Sequence, residues 1–152
     1  DAPLVHQLNS IPSVVKYVHE PLLRSDEEAR DIIVRIILPQ YEIKLGRWAI
    51  NRKDNGEFIG WCGLKYLIHT REIDLGYRFN PASWGHGFAT ESAQHVLKYG
   101  FNILQLKEIV GKAHRENNAS IKVLQKIGMQ YVKEMAEDDC PISVFNATNP
   151  QP

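Results

Sequence analysis

The sequence predicts one mixed α/β domain of the α+β kind, with three consecutive antiparallel strands near its middle. The stretch "EIDLGYRF", residues 72–79, alternates apolar and polar side chains, which is typical of a strand. An Asn55-Gly56 turn between two apolar runs predicts a hairpin just before it. Two later amphipathic segments enclose a short apolar run, which indicates helix, strand and helix. The 152 residues have the length of one domain, and this order is not a regular βα repeat.

The N-terminal segment is predicted to be helical. Residues Leu4 to Leu8 fit the end of a short helix. Ser25 and Glu28 have the spacing of a capping box, which predicts the start of a second helix. Pro39 is predicted to end that helix. Its apolar stripe contains Ile32, Ile33, Ile36 and Ile37.

The hairpin and the strand after it follow directly. "GRWAINRK" and "EFIGWCGLKYL" predict the two hairpin strands on either side of the turn. Alternation in the third strand predicts two faces. One face carries Ile73, Leu75, Tyr77 and Phe79, and the other carries Glu72, Asp74, Gly76 and Arg78.

The C-terminal half predicts helix, strand, helix and two strands. A helix is expected from about Ala89 to Leu104, and "EIVGKAH" is expected to be a short strand. "NNASIKVLQKIG" predicts a helix with an asparagine cap and with Gly128 as its C-terminal stop. "MQYVKEMAE" and "PISVFNAT" predict the last strands. The buried stripe of the first helix is expected to contain Ala93, Val96, Leu97, Phe101 and Leu104.

Composition argues against several classes of protein. Eighteen basic residues balance eighteen acidic ones without a basic run, so no nucleic-acid surface is expected. No apolar run approaches the roughly 20 residues that cross a membrane, and no signal peptide is visible. The six histidines lack metal-binding spacing, so no metal is expected. Cys62 lies in an apolar run and is expected to be a reduced core residue. These features predict a soluble cytoplasmic domain.

The stretch "NPASWGHGFATES", residues 80–92, predicts an anion-binding turn. A strand enters it, a helix leaves it, and Gly85 and Gly87 let a ligand approach the backbone closely. A phosphate or pyrophosphate suits the free N–H groups and the dipole of the helix. A P-loop would need a following Gly-Lys pair, and a dinucleotide fingerprint would need glycine or alanine at Thr90. A purely structural turn is the alternative.

A second motif, "ENNASIKVLQKIGM" at residues 116–129, separates these alternatives. Together the two motifs resemble the Gcn5-related N-acetyltransferase (GNAT) family, with its (Q/R)xxGx(G/A) turn and NxxSxxVLxKxGF helix. Trp84 replaces the usual Gln or Arg. This replacement, "LGYRFNP" and "GRWAI" look like the branch of ribosomal-protein-alanine N-acetyltransferases (RimJ/RimL-like). The resemblance covers nearly the whole chain.

The resemblance implies a mostly antiparallel sheet flanked by helices, with a V-shaped splay between two central strands. The family's usual first strand would precede Asp1, so the 152 residues are expected to be one acetyltransferase domain without it. Acetyl-CoA is the implied co-substrate, with no metal. Asn118 is the alternative to Asn117 as a pantetheine contact. The implied cofactor-binding residues are Tyr77, Arg78, Phe79, Trp84, Gly85, His86, Gly87, Phe88, Ala89, Thr90, Asn117 and Ser120.

Acetyl transfer to an amine also needs proton transfers. The resemblance implies Asp74 as general base, with Glu72 two residues earlier as a weaker candidate and solvent as the alternative. Many relatives carry a tyrosine that acts as general acid seven residues after the helix asparagine. This chain has Leu124 at that position. Ser120 is therefore the candidate acid, unless it is only a helix-start serine bonded to backbone.

The implied activity is direct transfer of an acetyl group to a primary amine within a ternary complex. The acceptor is either a protein N-terminal α-amine or a small molecule. Its site is expected between residues 10–22 and the "YLIHTREI" loop. A non-catalytic acyl-CoA-binding module and an NAD-binding domain are the alternatives, and the protein is expected to be a monomer or a homodimer. The acceptor segments contain Tyr17, His19, Glu20, His69 and Arg71.

Overall fold

The computed structural model describes residues 1–18 and 20–151, so His19 lies outside the described residues. Six strands form one sheet in the order β1-β2-β3-β4-β6-β5. Neighbouring strands are antiparallel except β3 and β4, which are parallel. The fold class is as predicted, and the six strands of the described residues follow one another along the chain as predicted. The strands are β1 Gly46–Asn51, β2 Phe58–Leu67, β3 Glu72–Phe79, β4 Glu108–His114, β5 Gln130–Glu137 and β6 Cys140–Thr148.

The helices cover both faces of the sheet. Leu75 of β3 lies in the core beside Ala93 and Leu97 of one helix and Leu124 of another. Arg78, on the opposite face of β3, contacts the N-terminal helical region through Asn9. The sheet therefore separates the N-terminal helices from the later ones. The helices are α1 Ala2–Asn9, α2 Pro12–Val15, α3 Asp26–Ile32, α4 Leu38–Glu42, α5 Phe88–Lys98 and α6 Asn118–Lys126.

The two central strands separate soon after they meet. Strand β3 pairs with β2 along its whole length, from Glu72 to Phe79. Among the described residues, its pairing with β4 is confined to Asp74 opposite Val110. Beyond Asp74, the backbone edge of β3 that faces β4 is open. This is the splay that the resemblance implied.

The predicted helix end at Pro39 is wrong. A π-helical turn, Ile33–Ile37, follows α3 and leads directly into α4. The N–H of Leu38 donates to the carbonyl of Ile33, five residues back. The wider turn removes the need for a conventional hydrogen bond from Pro39, so the helix continues. The predicted isoleucine stripe is half-buried rather than in the core, and Ile36 is exposed.

The core on the other face matches the predicted pattern. The stripe of α5 is buried from Ala93 to Phe101, and the helix extends through a second π-helical turn, Tyr99–Ile103. Cys62 is fully buried, and this burial raises the pKa of its thiol to about 12. Cys62 is thus an unreactive core residue, as predicted. Within residues 1–18 and 20–151, no helix has the length and apolar character to span a membrane.

Candidate active site

The glycine turn connects β3 to α5 in a defined conformation. The side chain of Asn80 caps a 3-10 turn, Pro81–Ser83, by accepting from the N–H of Ser83 at 3.0 Å. Gly85 and Gly87 both have φ of +80°, a left-handed conformation that side chains disfavour. Gly87 is the N-cap residue of α5 and brings no capping side chain. The first N–H groups of the helix are therefore left for a ligand.

The space around this turn suits an anion. A Cβ atom added to either glycine would have no heavy atom within 4 Å. Residues 84–87 are exposed, and the turn opens directly onto the start of α5. An exposed helix N-terminus with free N–H groups attracts negative charge. The predicted turn residues, 84–90, thus lie together at a site that fits a pyrophosphate.

Trp84 forms a hydrogen bond with the last residue of β3. Its indole Nε1 donates to the carbonyl of Phe79 at 2.9 Å, although half of the residue's surface is exposed. Because of this hydrogen bond, the carbonyl of Phe79 is already used within the protein. Arg52, which sequence reasoning missed, lies with its guanidinium 5.6 Å from the ring of Phe88 and pairs with Asp54. The hairpin and the turn meet only in the tertiary structure, so no sequence signal marks this contact.

A second cluster connects β3 to α6 across the splay. The hydroxyl of Tyr77 donates to the carbonyl of Ser120 at 3.2 Å. Asn117 caps α6: its Oδ1 accepts from the N–H of Ser120, and its Nδ2 donates to Ser120 Oγ, both at 3.2 Å. Burial raises the pKa of Tyr77 to about 12, so its hydroxyl stays protonated. Tyr77, Asn117 and Ser120 thus lie together beside the open edge of β3.

On the opposite face of β3, an arginine lies across the sheet. Arg47 of β1 is opposite Gly63 of β2, which is opposite Gly76 of β3. A Cβ on Gly76 would lie only 2.2 Å from Arg47 Nη1. The absence of a side chain at Gly76 therefore lets the guanidinium lie over β3. The guanidinium carbon also lies 4.3 Å from the ring centre of Trp61, a cation–π distance.

Asp74 lies beside this guanidinium. Its Oδ2 is 3.9 Å from Arg47 Nη2, and its side chain is only 16% exposed. Burial raises the pKa of Asp74 to about 6, with the positive charge of Arg47 acting in the opposite direction. At neutral pH the carboxylate is mostly ionised and can accept a proton. Asp74 is also where β3 and β4 separate.

Glu72 has a different environment. It pairs with Lys112 at 3.3 Å, and its side chain is 31% exposed. Burial raises the pKa of Glu72. Hydrogen bonds from Thr70 and Lys112 and the charge of Lys112 together lower the pKa by more than burial raises it, so the net shift is downward. A carboxylate held in its ionised form in this way is a weaker base than Asp74.

A cavity of about 290 Å³ lies on this face, between the N-terminal helices and strands β1 to β3. Arg78 lines it and donates through Nη1 to Asn9 at 2.7 Å and to Glu20 at 3.1 Å. The side chain of Arg78 thus points into this cavity, on the face of β3 opposite the core. Segment 10–22 contributes Glu20 and Pro21 to the cavity, whereas the exposed residues His69 and Arg71 do not line it.

The open edge of β3 lies between the glycine turn at the start of α5 and the carboxylate of Asp74. This arrangement defines a protein of the acyl-CoA-dependent acyltransferase class. The chain belongs to the GNAT acetyltransferase family, since the sequence model of that family, the acetyltransferase (GNAT) domain, matches residues 1–130. Members of this family use acetyl-CoA, and the protein is an N-acetyltransferase.

Relatives and solved structures agree with this family. The Bacillus subtilis (strain 168) protein "Uncharacterized N-acetyltransferase YoaA" is 34% identical over 132 residues, covering 86% of this chain and 74% of that one. Spermidine N(1)-acetyltransferase of Escherichia coli (strain K12) is 27% identical over 139 residues, covering 91% and 72%.

Two solved structures share the fold at 18% identity. Spermidine N-acetyltransferase from Vibrio cholerae, in complex with CoA and spermine, has a TM-score of 0.82 over 98% of this chain and 90% of that chain. The ribosomal protein acetyltransferase RimL, in complex with coenzyme A, has a TM-score of 0.84 over 97% and 88%. Identity at this level shows the fold alone.

Proposed function

We propose that the protein moves an acetyl group from acetyl-CoA to a primary amine by direct transfer in a ternary complex. The observation that carries this is the position of β3. One edge of the strand is open beyond Asp74, the glycine turn follows its end, and the cavity lies against its other face. The two substrates would thus approach the same short stretch of backbone from different sides, which brings the reacting groups together.

The chain's own residues fit the cofactor. The glycine turn and the first N–H groups of α5 would hold the pyrophosphate. The open edge of β3 after Asp74 would hydrogen-bond the pantetheine arm, with Asn117 beside it. Acetyl-CoA supplies an activated acetyl group as a thioester. Trp84 stands where the family usually has Gln or Arg, and this replacement supports membership of the RimJ/RimL-like branch. Its indole donates a hydrogen bond to the carbonyl of Phe79.

Asp74 is proposed as the general base, directly or through a water molecule. Its raised pKa, near 6, places it closer to neutrality than an ordinary aspartate. The ion pair between Glu72 and Lys112 makes Glu72 the weaker candidate. Both lie on the acceptor face of β3, away from the core.

Ser120 is proposed to give a proton to the leaving thiolate. Its Oγ accepts a hydrogen bond from Asn117, which leaves the hydroxyl hydrogen free to donate. Leu124, at the position where many relatives carry tyrosine, is buried in the core and brings no hydroxyl. This departure supports the second candidate, an acyl-CoA-binding module that does not transfer the group.

The test is a thiol-release assay with acetyl-CoA and a broad amine panel, which includes small amines, amino acids and peptides with free N-termini. Acetylation of at least one acceptor, confirmed by mass spectrometry, is the expected result. A folded sample that binds acetyl-CoA but acetylates no amine would replace the proposed transferase with the binding module.

A further inference from the structure

The cavity beneath the N-terminal helices carries a surplus of positive charge. Three cationic side chains line it, those of Arg47, Lys65 and Arg78, and Glu20 is the one lining carboxylate among the described residues. Asp74 is not one of the lining residues, but it lies beside Arg47 at the edge of the cavity's charges and adds a second negative charge. The volume of about 290 Å³ is at the lower end of small-molecule sites. The cavity therefore suits a small ligand that itself brings negative charge.

Arg47 has a donor that the protein does not use. Its Nη1 is buried and has no hydrogen-bond partner among the described residues. Its Nη2 is 3.9 Å from Asp74, which is too long for a hydrogen bond. A buried guanidinium nitrogen that lacks an acceptor is unfavourable, and a planar carboxylate is the group that matches the geometry of a guanidinium. Arg78, by contrast, already donates to Asn9 and Glu20.

The remaining wall of the cavity is largely aliphatic. Val5 of α1, Ile32 of α3 and Ile37 of the π-helical turn line it. These side chains provide no hydrogen bonds, so the part of the ligand that contacts them is apolar. Three of the four isoleucines of the stripe, Ile32, Ile36 and Ile37, thus line the cavity.

We propose that the acceptor is a small α-amino acid with an apolar side chain, whose carboxylate binds Arg47 and whose α-amine lies at Asp74. This rests on the proposed acetyl transfer and names its substrate class. The short distance between Arg47 and Asp74 suits a molecule whose carboxylate and amine are one carbon apart. The amine nitrogen forms a bond to the acetyl carbon, the carbon–sulfur bond breaks, Asp74 takes the amine proton, and the thiolate is protonated to give free CoA.

The charges of the cavity also favour this acceptor over a polyamine. Positive charge near an amine stabilises its neutral form, which is the nucleophile. A polyamine would bring a further ammonium group next to Arg47, Lys65 and Arg78, with Glu20 and Asp74 as the opposing charges. A carboxylate on the acceptor instead compensates the surplus.

The test compares three acceptors that differ at one group: L-leucine, L-leucinamide and 3-methylbutylamine. Thiol release is measured at saturating acetyl-CoA, and kcat/KM is expressed per unprotonated amine, since the three amines have different pKa values. We expect L-leucine to exceed both analogues at least about tenfold, because its carboxylate can accept charge-assisted hydrogen bonds from the guanidinium and neither analogue has that group. Equal or faster reaction of either analogue overturns the inference and leaves the acetyltransferase standing. No acetylation of any amine, here or in the broad panel, overturns both.

Variants test the role of Arg47. Arg47→Gln is expected to reduce the ratio of kcat/KM for L-leucine to kcat/KM for 3-methylbutylamine about tenfold or more, a ratio in which any effect on Asp74 cancels. Arg35→Gln is the matched control, since that guanidinium is 77% exposed and lies outside the cavity lining; it should keep the preference. A folded Arg47→Gln protein that still prefers L-leucine overturns the assignment.

The affinities of the two acetylated products for the wild-type protein also test whether the cavity binds a carboxylate. We expect N-acetyl-L-leucine to bind the wild-type protein more tightly than N-(3-methylbutyl)acetamide in a calorimetric titration. Equal affinities would contradict a carboxylate site.

Discussion

Asp74 owes its proposed role to the side chains packed around it. Burial raises the pKa of Asp74, and the positive charge of the Arg47 guanidinium acts in the opposite direction. The guanidinium reaches this position only because Gly76 has no side chain. The properties of one carboxylate thus depend on a glycine two residues later and on an arginine from another strand.

Replacing Asp74 tests this role through pH dependence. The pKa of Asp74 is raised to about 6, so the base is protonated and inactive below that pH and ionised above it. For wild type, kcat/KM per unprotonated amine should rise with pH through about 6 and then level off. Asp74→Asn should lower it about 100-fold or more and remove this dependence.

The control is Asp31→Asn, an exposed aspartate on α3 that pairs with Arg35, which should keep the wild-type profile. An Asp74→Asn protein with the same pH dependence and rate would show that solvent, rather than Asp74, takes the proton.

Ser120→Ala separates an acid from a helix-start serine. The backbone bond from residue 120 to Asn117 survives the change, so α6 should remain capped. Turnover should fall about tenfold or more, while calorimetric affinity for acetyl-CoA is kept. Unchanged turnover would remove Ser120 as the proton donor.

Two residues of the proposed cofactor site, Asn117 and Gly87, occupy a helix start and a turn. For each of them, another residue of the chain has the same local role outside the site. Asn117 caps α6, and Ser25 caps α3 by accepting from the N–H of Glu28 at 3.1 Å. Gly87 in the glycine turn and Gly56 at the hairpin tip both have positive φ and open space around them. Each pair shares a local role, and only one member lies at the proposed cofactor site.

Asn117→Ala and Ser25→Ala should each lower the free energy of unfolding by about 1 kcal/mol, because each removes a helix cap. Chemical denaturation measures this loss. Only Asn117→Ala should also weaken acetyl-CoA binding. If both variants bind acetyl-CoA like wild type, Asn117 is a cap alone.

Gly87→Glu and Gly56→Glu introduce the same strain and the same charge at the two glycines. Both variants should lose similar stability in a thermal melt. Gly87→Glu should abolish acetyl-CoA binding, because its carboxylate would repel a pyrophosphate at the start of α5, whereas Gly56→Glu should retain it. Retained affinity in Gly87→Glu would contradict the pyrophosphate assignment.

Local signals were enough to predict most of these elements. The alternation in β3 places Leu75 in the core and Arg78 on the opposite face of the strand, as predicted. The Asn117 cap and the Gly128 stop of α6 are confirmed. The end at Pro39 was not predictable, because a π-helical turn depends on how the neighbouring residues pack and leaves no periodic signal.

At the scale of the whole molecule, the sheet separates two regions with different tasks. Helices α5 and α6 lie on the face where the cofactor is proposed to bind, and the N-terminal helices cover the cavity that is proposed to bind the acceptor. Contacts between distant parts of the chain build this second region, such as Arg78 with Asn9 and Arg47 with Asp74. Such pairings cannot be derived from one sequence. Glycines inside strands β2 and β3 were the available signal that another group approaches the sheet closely.

The most direct measurement is a calorimetric titration of the purified protein with acetyl-CoA, with NAD as the parallel control. We predict micromolar binding of acetyl-CoA and no binding of NAD, because the splay and the turn together fit a pyrophosphate with a pantetheine arm. A folded sample that fails to bind acetyl-CoA, or that binds NAD instead, would contradict the cofactor site proposed for the glycine turn and the open edge of β3.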